Sequence, residues 1–478
     1  MEGTLPVFDN YCFYVHRLKT RSKLNYKAKL VEIAKELQNP FIISLGKDIS
    51  DCSDKIDDYF FSTKARDLLN LDTNELIQAV EGYMGCLGGI IGSKVYIPTV
   101  SENDINNQLE NVELNEEGQE CNNKNKGSDI IRKNLRFSWT TVFGTDRSIT
   151  SSDAIVEYAS ILFNLGIWYL GYSDFIVSNR SSPTEGLVET DRQVVYDFLL
   201  KGAGIFDYIR TKLRPFLSSS SSKSKQSEEK TAGSADEDGD QQQERTDTIN
   251  EGSDKASTDF SDVMLKVLYL QCIGQAQELT IGRAYKKNTI QPIVKLSVEI
   301  VNMYKEAKDL LISHFSEDKL AENRVEKFVN FFMYKISLYQ ALALNQQAFQ
   351  QNAAHKYGES IATAKKAQHQ LKQTLFLIRP CVSITLPQTS LQRPTNQLSP
   401  IVDATLARLE RENTIIGYEV VPSIDEVSEL PQEGTRLAKS RPLNIPNVHN
   451  SWSNIDIPSV FNKDKILQES DLPSVIVK

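Results

Sequence analysis

The sequence predicts a mainly α-helical protein, and three observations carry that reading. Apolar residues recur at three- and four-residue spacing over windows far longer than an ordinary strand. Only one segment, 135–140, alternates apolar and polar residues as a half-buried strand does. The composition, 40% apolar and 24% charged, is that of a globular chain with some polar insertions. At 478 residues the chain is long enough for two or three domains or for one large elongated helical domain.

Residues 1–100 mix short helices with candidate strands. Leu30, Ile33, Ala34 and Leu37 share one helical face, as do Leu76, Val80, Tyr83 and Leu87, and Pro98 closes the segment. Residues 101–128 are rich in Asn and Glu without apolar periodicity, which predicts a solvated loop. After the strand, Gly144 and Asp146 supply turn chemistry, and Ser152 or Asp153 can cap the next helix. That helix carries Ile155, Tyr158, Leu162, Leu165 and Tyr169, with Ile161 and Trp168 widening the stripe, so it is expected to be buried on more than one side. A helix over 187–213 follows, containing Gly202-Ala203-Gly204. Two interior glycines cost about 1 kcal/mol each relative to Ala, and the close approach of a neighbouring helix is the expected reason for them.

Between 218 and 259 the composition changes to a serine run and an acidic, Gln-rich tract with eleven acidic and five basic residues. It predicts a disordered loop inserted in one domain. The stretch from Phe260 to Phe315 then reads as a long helix, a short turn and a second helix opening at Pro292. A long helix over 321–352 comes next, and the small-large-small pattern Ala353, Tyr357, Ser360, Ala364 is similar to the second helix of a tetratricopeptide repeat. Pro380, Pro387, Pro394 and Pro400 predict a loop, followed by a short helix over 401–412. The proline-containing remainder predicts an extended strap, with Val420, Leu443, Ile445, Trp452 and Phe461 as its docking residues.

The net charge of −9 argues against a nucleic-acid surface, which needs clustered Lys and Arg. Six scattered cysteines without a C-x-x-C pair predict reduced thiols and neither a zinc site nor a disulfide framework. Met1-Glu2 opens no secretory leader or myristoylation site, and Val475-Ile476-Val477-Lys478 is not a prenylation box, so no lipid anchor is expected. The apolar runs 84–91 and 328–344 are too short or are broken by Lys335, so no integral membrane segment is expected. His16, His314, His355, His369 and His449 show no metal-ligand spacing, and no nucleophile elbow, zinc-protease or phosphate-loop motif is present. No cofactor, metal or catalytic role is expected, and a binding scaffold is favoured over an enzyme.

The Phe260–Phe315 pair is therefore weighed as a surface. Leu265, Leu268, Cys272, Ala276 and Leu279 form one core stripe, and Ile293, Leu296, Ile300, Tyr304, Ala307 and Leu311 form another. Ile281, Val294, Val298 and Val301 lie off those stripes. A second apolar side implies either a third packing layer or a groove for a partner helix.

Phe137-Ser138-Trp139, Leu162-Phe163-Asn164, Ala203-Gly204-Ile205-Phe206, Gln275-Ala276-Gln277-Glu278, Ala284, Arg411-Glu412-Asn413 and Leu437-Ala438-Lys439-Ser440-Arg441-Pro442 together resemble, in order and spacing, the BRO domain family. The match is to Alix- and Brox-type members, with single-domain Brox-like members the most similar in architecture. The resemblance implies a banana-shaped BRO domain with a tetratricopeptide-like helical core and a small N-terminal β-sheet. It would span 1–450, with the two polar insertions inside it and a tail over 451–478. It also implies a non-enzymatic adaptor whose concave face binds the amphipathic C-terminal helix of an ESCRT-III (charged multivesicular body) subunit. Carried onto this sequence, that patch falls on Thr280, Arg283, Pro292, Ile293 and Leu296. Thr280 departs from the aromatic of Alix-like members and matches the small residue of Brox-like ones, and Gly417 stands where other members have a tyrosine. The expectation is a cytoplasmic monomer that reaches endosomes or the nuclear envelope, and membranes generally, through its partners. A helical scaffold for a signalling partner is the alternative, and direct binding to anionic membrane is disfavoured by the acidic balance.

Overall fold

The computed structural model describes residues 8–37, 41–61, 73–91, 135–143, 148–151, 153–182, 186–219, 258–287, 291–315, 320, 325–383 and 386–452. Helices dominate: α1 (Tyr26–Leu37), α2 (Phe41–Phe61), α3 (Thr73–Ile91), α4 (Ala154–Arg180), α5 (Glu189–Tyr208), α6 (Asp262–Lys286), α7 (Ile293–His314), α8 (Glu326–Ala353), α9 (Tyr357–Cys381) and α10 (Gln388–Glu412). Strands β1 (Phe137–Thr140) and β2 (Ser148–Ser151) form an antiparallel pair that aligns Phe137 with Ser151 and Thr140 with Ser148. The sequence showed β1, whose Phe137 and Trp139 point inward, but not the mostly polar β2.

The expected polar loop 101–128, most of the acidic insertion, Gly144, Asp146, Ser152 and Phe461 lie outside the described residues. Asp259, which composition assigns to the insertion, belongs to the body. It is fully buried, pairs with Lys19 at 3.0 Å and accepts from the backbone N–H groups of Val142 and Phe143.

Asp153 caps α4 by accepting from the Ile155 N–H at 3.0 Å. α4 is long and apolar enough to cross a membrane by length and composition, a property missed in the apolar runs named above, but 89% of its apolar window is buried among the other helices. It is a core helix, as its broad stripe predicts. After α5 the chain passes through a π turn (Ile209–Leu213) into a further helical turn (Arg214–Ser219).

α10 corrects one expectation. Pro394 and Pro400 lie inside a single helix that begins at Gln388, where the prolines predicted a loop to residue 400. Each proline removes one hydrogen-bond donor from the helix. Burial of Leu391, Leu398, Ile401, Val402 and Leu409 on one face offsets that loss. α8 and α9 form the antiparallel hairpin suggested by the small-residue pattern, with Ser360 and Ala364 fully buried and His355 in a left-handed conformation at the turn.

The N-terminal segment 8–24 runs extended through the body. Its Arg21 bridges to Trp139 beside the sheet, and Thr20 accepts from the Thr140 N–H at 2.8 Å. His16 is buried against Phe143 and Phe328 and meets Gln271 Oε1 at 2.8 Å. Burial lowers its pKa from 6.5 to about 4. The unfolded chain therefore binds a proton that the folded chain refuses between those values, so this site withdraws stability as pH falls from about 6.5 to about 4. A comparison of denaturant unfolding at pH 7 and pH 4.5 should show His16→Gln losing about 2–3 kcal/mol less than the wild type over that interval.

Candidate functional site

The α6–α7 pair is built around the sequence Gly274-Gln275-Ala276-Gln277-Glu278. Ser261 caps α6 by accepting from the Met264 N–H at 3.2 Å. Glu278 turns inward, where Lys335 of α8 pairs with it at 2.7 Å and the Tyr304 hydroxyl of α7 donates to it at 2.5 Å. All three residues are fully buried. Gly274 makes room for this contact, since a Cβ there would sit 2.7 Å from the Tyr304 ring. Burial and the Glu278 charge hold the Tyr304 hydroxyl well above its ordinary pKa, so it stays a donor.

Gln277 is 100° further round the helix and points at the C-terminal strap, residues 418–452. Its Nε2 donates to the Thr435 carbonyl at 2.7 Å, and its Oε1 accepts from the Leu437 and Ala438 N–H groups at 3.0 and 3.1 Å. Along α7, the Lys295 carbonyl accepts from the Thr435 N–H, Glu299 pairs with Arg436, and Asn302 donates to the Gln432 carbonyl. Leu430 lies over Val294, Val298 and Ala343. Of the two alternatives for the second apolar side of the helix pair, the structure shows the third packing layer at Val294 and Val298, while Ile281 and Val301 enter the main core.

Further on, the Arg441 N–H donates to the Leu200 carbonyl of α5 at 3.1 Å. The strap ends on α3, where the Trp452 indole donates to the Cys86 carbonyl at 3.0 Å. The glycines of α5 are thus explained separately. Gly202 faces Cys272 of α6 and Gly166 of α4, the expected helix approach. Gly204 instead faces the strap, because a Cβ there would meet the Arg441 carbonyl at 1.7 Å. Trp452 docks as the sequence predicts and Leu443 and Ile445 are half-buried, whereas Val420 is 91% exposed and does not dock. The strap starts beyond the left-handed Tyr418 and holds on through Val427, Leu430 and Ala438 rather than through Val420.

The five residues carried over from the family resemblance separate into two sets. Ile293 and Leu296 are core side chains, fully buried and 2% exposed respectively. Thr280 and Arg283 are half-buried, and Pro292, the N-cap residue of α7, is exposed. The Thr280 hydroxyl donates to the Gln277 carbonyl in its own helix at 2.6 Å. Arg283 pairs with Glu189 at the start of α5 at 2.6 Å. Beneath that pair lies a buried knot in which Arg192 clamps both oxygens of Asp9 at 2.6 Å, with Tyr11 and Lys286 also in contact. Arg283 and the strap residue Arg441 flank Tyr196 of α5, where their charges oppose the rise that burial imposes on the hydroxyl pKa. Leu437, whose N–H is held by Gln277 one turn before Thr280, is 53% exposed. Sequence reasoning quoted Gln277 and Leu437 within the family motifs without giving them a place at this surface, and it missed Glu189 and Tyr196.

A model of the BRO1-like domain family matches residues 122–463. The chain belongs to that family. Among curated relatives, human BRO1 domain-containing protein BROX is 22% identical over 328 residues, covering 68% of this chain and 69% of that protein. The zebrafish (Danio rerio) protein of the same name is 23% identical over 300 residues, 62% of each chain. Among solved structures, the ALIX BRO1 domain in its complex with CHMP4C superposes with a TM-score of 0.55 at 17% identity, covering 91% of this chain and 97% of that one. The Bro1 domain solved as a basis for endosomal targeting gives 0.55 at 14% identity, covering 94% and 99%. These likenesses establish a BRO1-type fold, helical with a small sheet.

Two outcomes test the framework of the site. Lys335→Met leaves the Glu278 carboxylate buried without its cation and should cost about 3–5 kcal/mol in denaturant unfolding, with Glu278→Gln restoring part of that in the double variant. Gly204→Val should free the strap while leaving the helices formed, read as faster proteolytic cleavage between residues 436 and 448 with an unchanged helical circular dichroism spectrum.

Proposed function

We propose that this protein is a non-enzymatic adaptor that binds the amphipathic C-terminal helix of an ESCRT-III subunit at the α6–α7 junction. The observation that carries the reading is the junction itself. The strap covers the outer side of the pair at Gln277, Val294 and Glu299, yet Thr280, Arg283 and Pro292 stay accessible beside exposed Leu437. Such an edge offers apolar contact with cations beside it at Arg283, Lys287 and Lys295, which suits an apolar helix face flanked by acids. That the related ALIX BRO1 domain has been solved with CHMP4C supports the same class of partner here. Ile293 and Leu296 then act as the packed floor under the contact and do not touch the partner in the form described. A cytoplasmic, endosome-associated protein is consistent with this role.

The floor residues make poor probes. Leu296→Asp would bury an unpaired carboxylate and confuse lost binding with lost folding. Thr280→Asp with Pro292→Asp alters accessible positions only. In titrations with isolated ESCRT-III C-terminal helices, the double variant should bind at least tenfold more weakly while unfolding at the same denaturant concentration. Unchanged affinity would remove this surface from the proposal.

A further inference from the structure

An acidic chain carries one strongly basic region. Residues 327–402 contain eight Lys and Arg (Lys327, Lys335, Lys356, Lys365, Lys366, Lys372, Arg379 and Arg393) and a single acid, Glu359, although the whole chain has 63 acids against 54 Lys and Arg. This region is α8 after its first residue, Glu326, then α9 and the first half of α10. Lys335 is the buried partner of Glu278, Lys356 and Lys365 pair with Glu359 and Glu410, and Lys327 and Arg393 donate to the Val382 and Ser178 carbonyls, which leaves Lys366, Lys372 and Arg379 facing outward.

The geometry concentrates them on α9. Its buried side is Ile361, Ala364, Ala367, Leu371, Thr374 and Ile378. The opposite side carries Lys366, His369, Lys372, Phe376 and Arg379, and beyond Glu359 in the first turn it has no acid. The two acids that α10 brings to α9 are already engaged. Glu410 pairs with Lys365 at 3.4 Å, and Asp403 accepts from Gln368 at 2.7 Å. Within this cationic face Phe376 is 80% exposed and Leu375 49% exposed, between Lys372 and Arg379. A phenylalanine so exposed gains nothing from its own fold, and a rounded helix face with a projecting ring offers no groove to a peptide. Cations around a projecting apolar side chain match a bilayer interface, where headgroups neutralise the charge and the ring enters the acyl boundary.

We propose that the outer face of α9 is a docking surface for an anionic lipid bilayer, with Phe376 and Leu375 entering the interface and Lys366, Lys372 and Arg379 facing the headgroups. The surface is separate from the α6–α7 junction and does not depend on the partner assigned there. The net negative charge, which disfavours membrane binding when averaged over the chain, is set aside locally because the acids near α9, Glu359 and the strap residue Glu419, meet its first turn and not the outward face from Lys366 to Arg379.

Co-sedimentation of the full chain with vesicles of phosphatidylcholine containing 30% phosphatidylserine tests this. Binding should be absent on pure phosphatidylcholine, appear with phosphatidylserine and weaken as salt rises. Lys366→Glu with Lys372→Glu should lower vesicle affinity at least tenfold, and Phe376→Ser should lower it severalfold. Both alter solvent-facing side chains, so unchanged unfolding midpoints should accompany the loss. Equal binding of these variants and the wild type would overturn the assignment. So would absence of binding to the phosphatidylserine vesicles, or a wild type that ignores them yet binds an acidic peptide through the same residues.

Discussion

The buried pair between Glu278 and Lys335, closed by the Tyr304 hydroxyl, is the constraint on which the central helices depend. Three helices contribute one polar group each to a point with no solvent access, and none of the three can move without stranding a charge. Removing two such ions from water is costly, so their value lies more in fixing register than in raw stability. Gly274 makes room in this arrangement for the Tyr304 ring, and Gln277, the neighbour of Glu278, turns to the strap and grips it. One short segment of α6 thereby sets both the interior packing of α7 and α8 and the path of the chain that covers them.

That dual role explains which parts of the molecule were legible in the sequence. Helical periodicity placed α6, α7, α8 and α9 to within a few residues, because each buries a continuous stripe and periodicity reports burial directly. It failed at α10, where Pro394 and Pro400 are strong local signals for a break but the apolar face prevails. The surplus apolar residues of α7 were visible, but what covers them was not. Leu430, the residue over Val294 and Val298, lies in an extended segment with no period of its own.

The candidate site was less legible than the fold for a related reason. Ile293 and Leu296 belong to the same stripe as Ile300 and Tyr304, and spacing alone says that the stripe is apolar without saying which of its members reach the surface. Family resemblance points to the helix turn, where the structure buries Ile293 and Leu296 and leaves Thr280, Arg283 and Pro292 accessible. The partners that shape the surface, Glu189 and Leu437, come from segments about 90 and 160 residues away from it in sequence. Such a meeting has no signature in local pattern.

The extended N-terminal segment carries the argument one step further. Residues 8–24 have neither helical nor strand periodicity, yet Phe8, Tyr11, Cys12 and Phe13 are buried to 2% exposure or less. Three buried ion pairs hold the segment in place: Asp9 with Arg192, Lys19 with Asp259, and Arg21 with Glu157. Glu157 also accepts from Trp139 and Tyr83, which joins β1 and α3 to the same point. An apolar extended strand of chain could slide by two residues and still bury its side chains, but a slide would separate three charges from their partners at once. The charged residues that look incidental in the sequence thus supply the register that periodicity cannot, at the N-terminal segment as at α6. The C-terminal strap meets the same problem with backbone hydrogen bonds to the buried Gln277, close approach at Gly204 and the more exposed ion pair of Arg436 with Glu299. One end of the described chain is therefore fixed by buried ion pairs and the other mainly by hydrogen bonding and close approach, with its ion pair to Glu299 nearer the surface, and the α6–α7 junction lies beside contacts of both kinds.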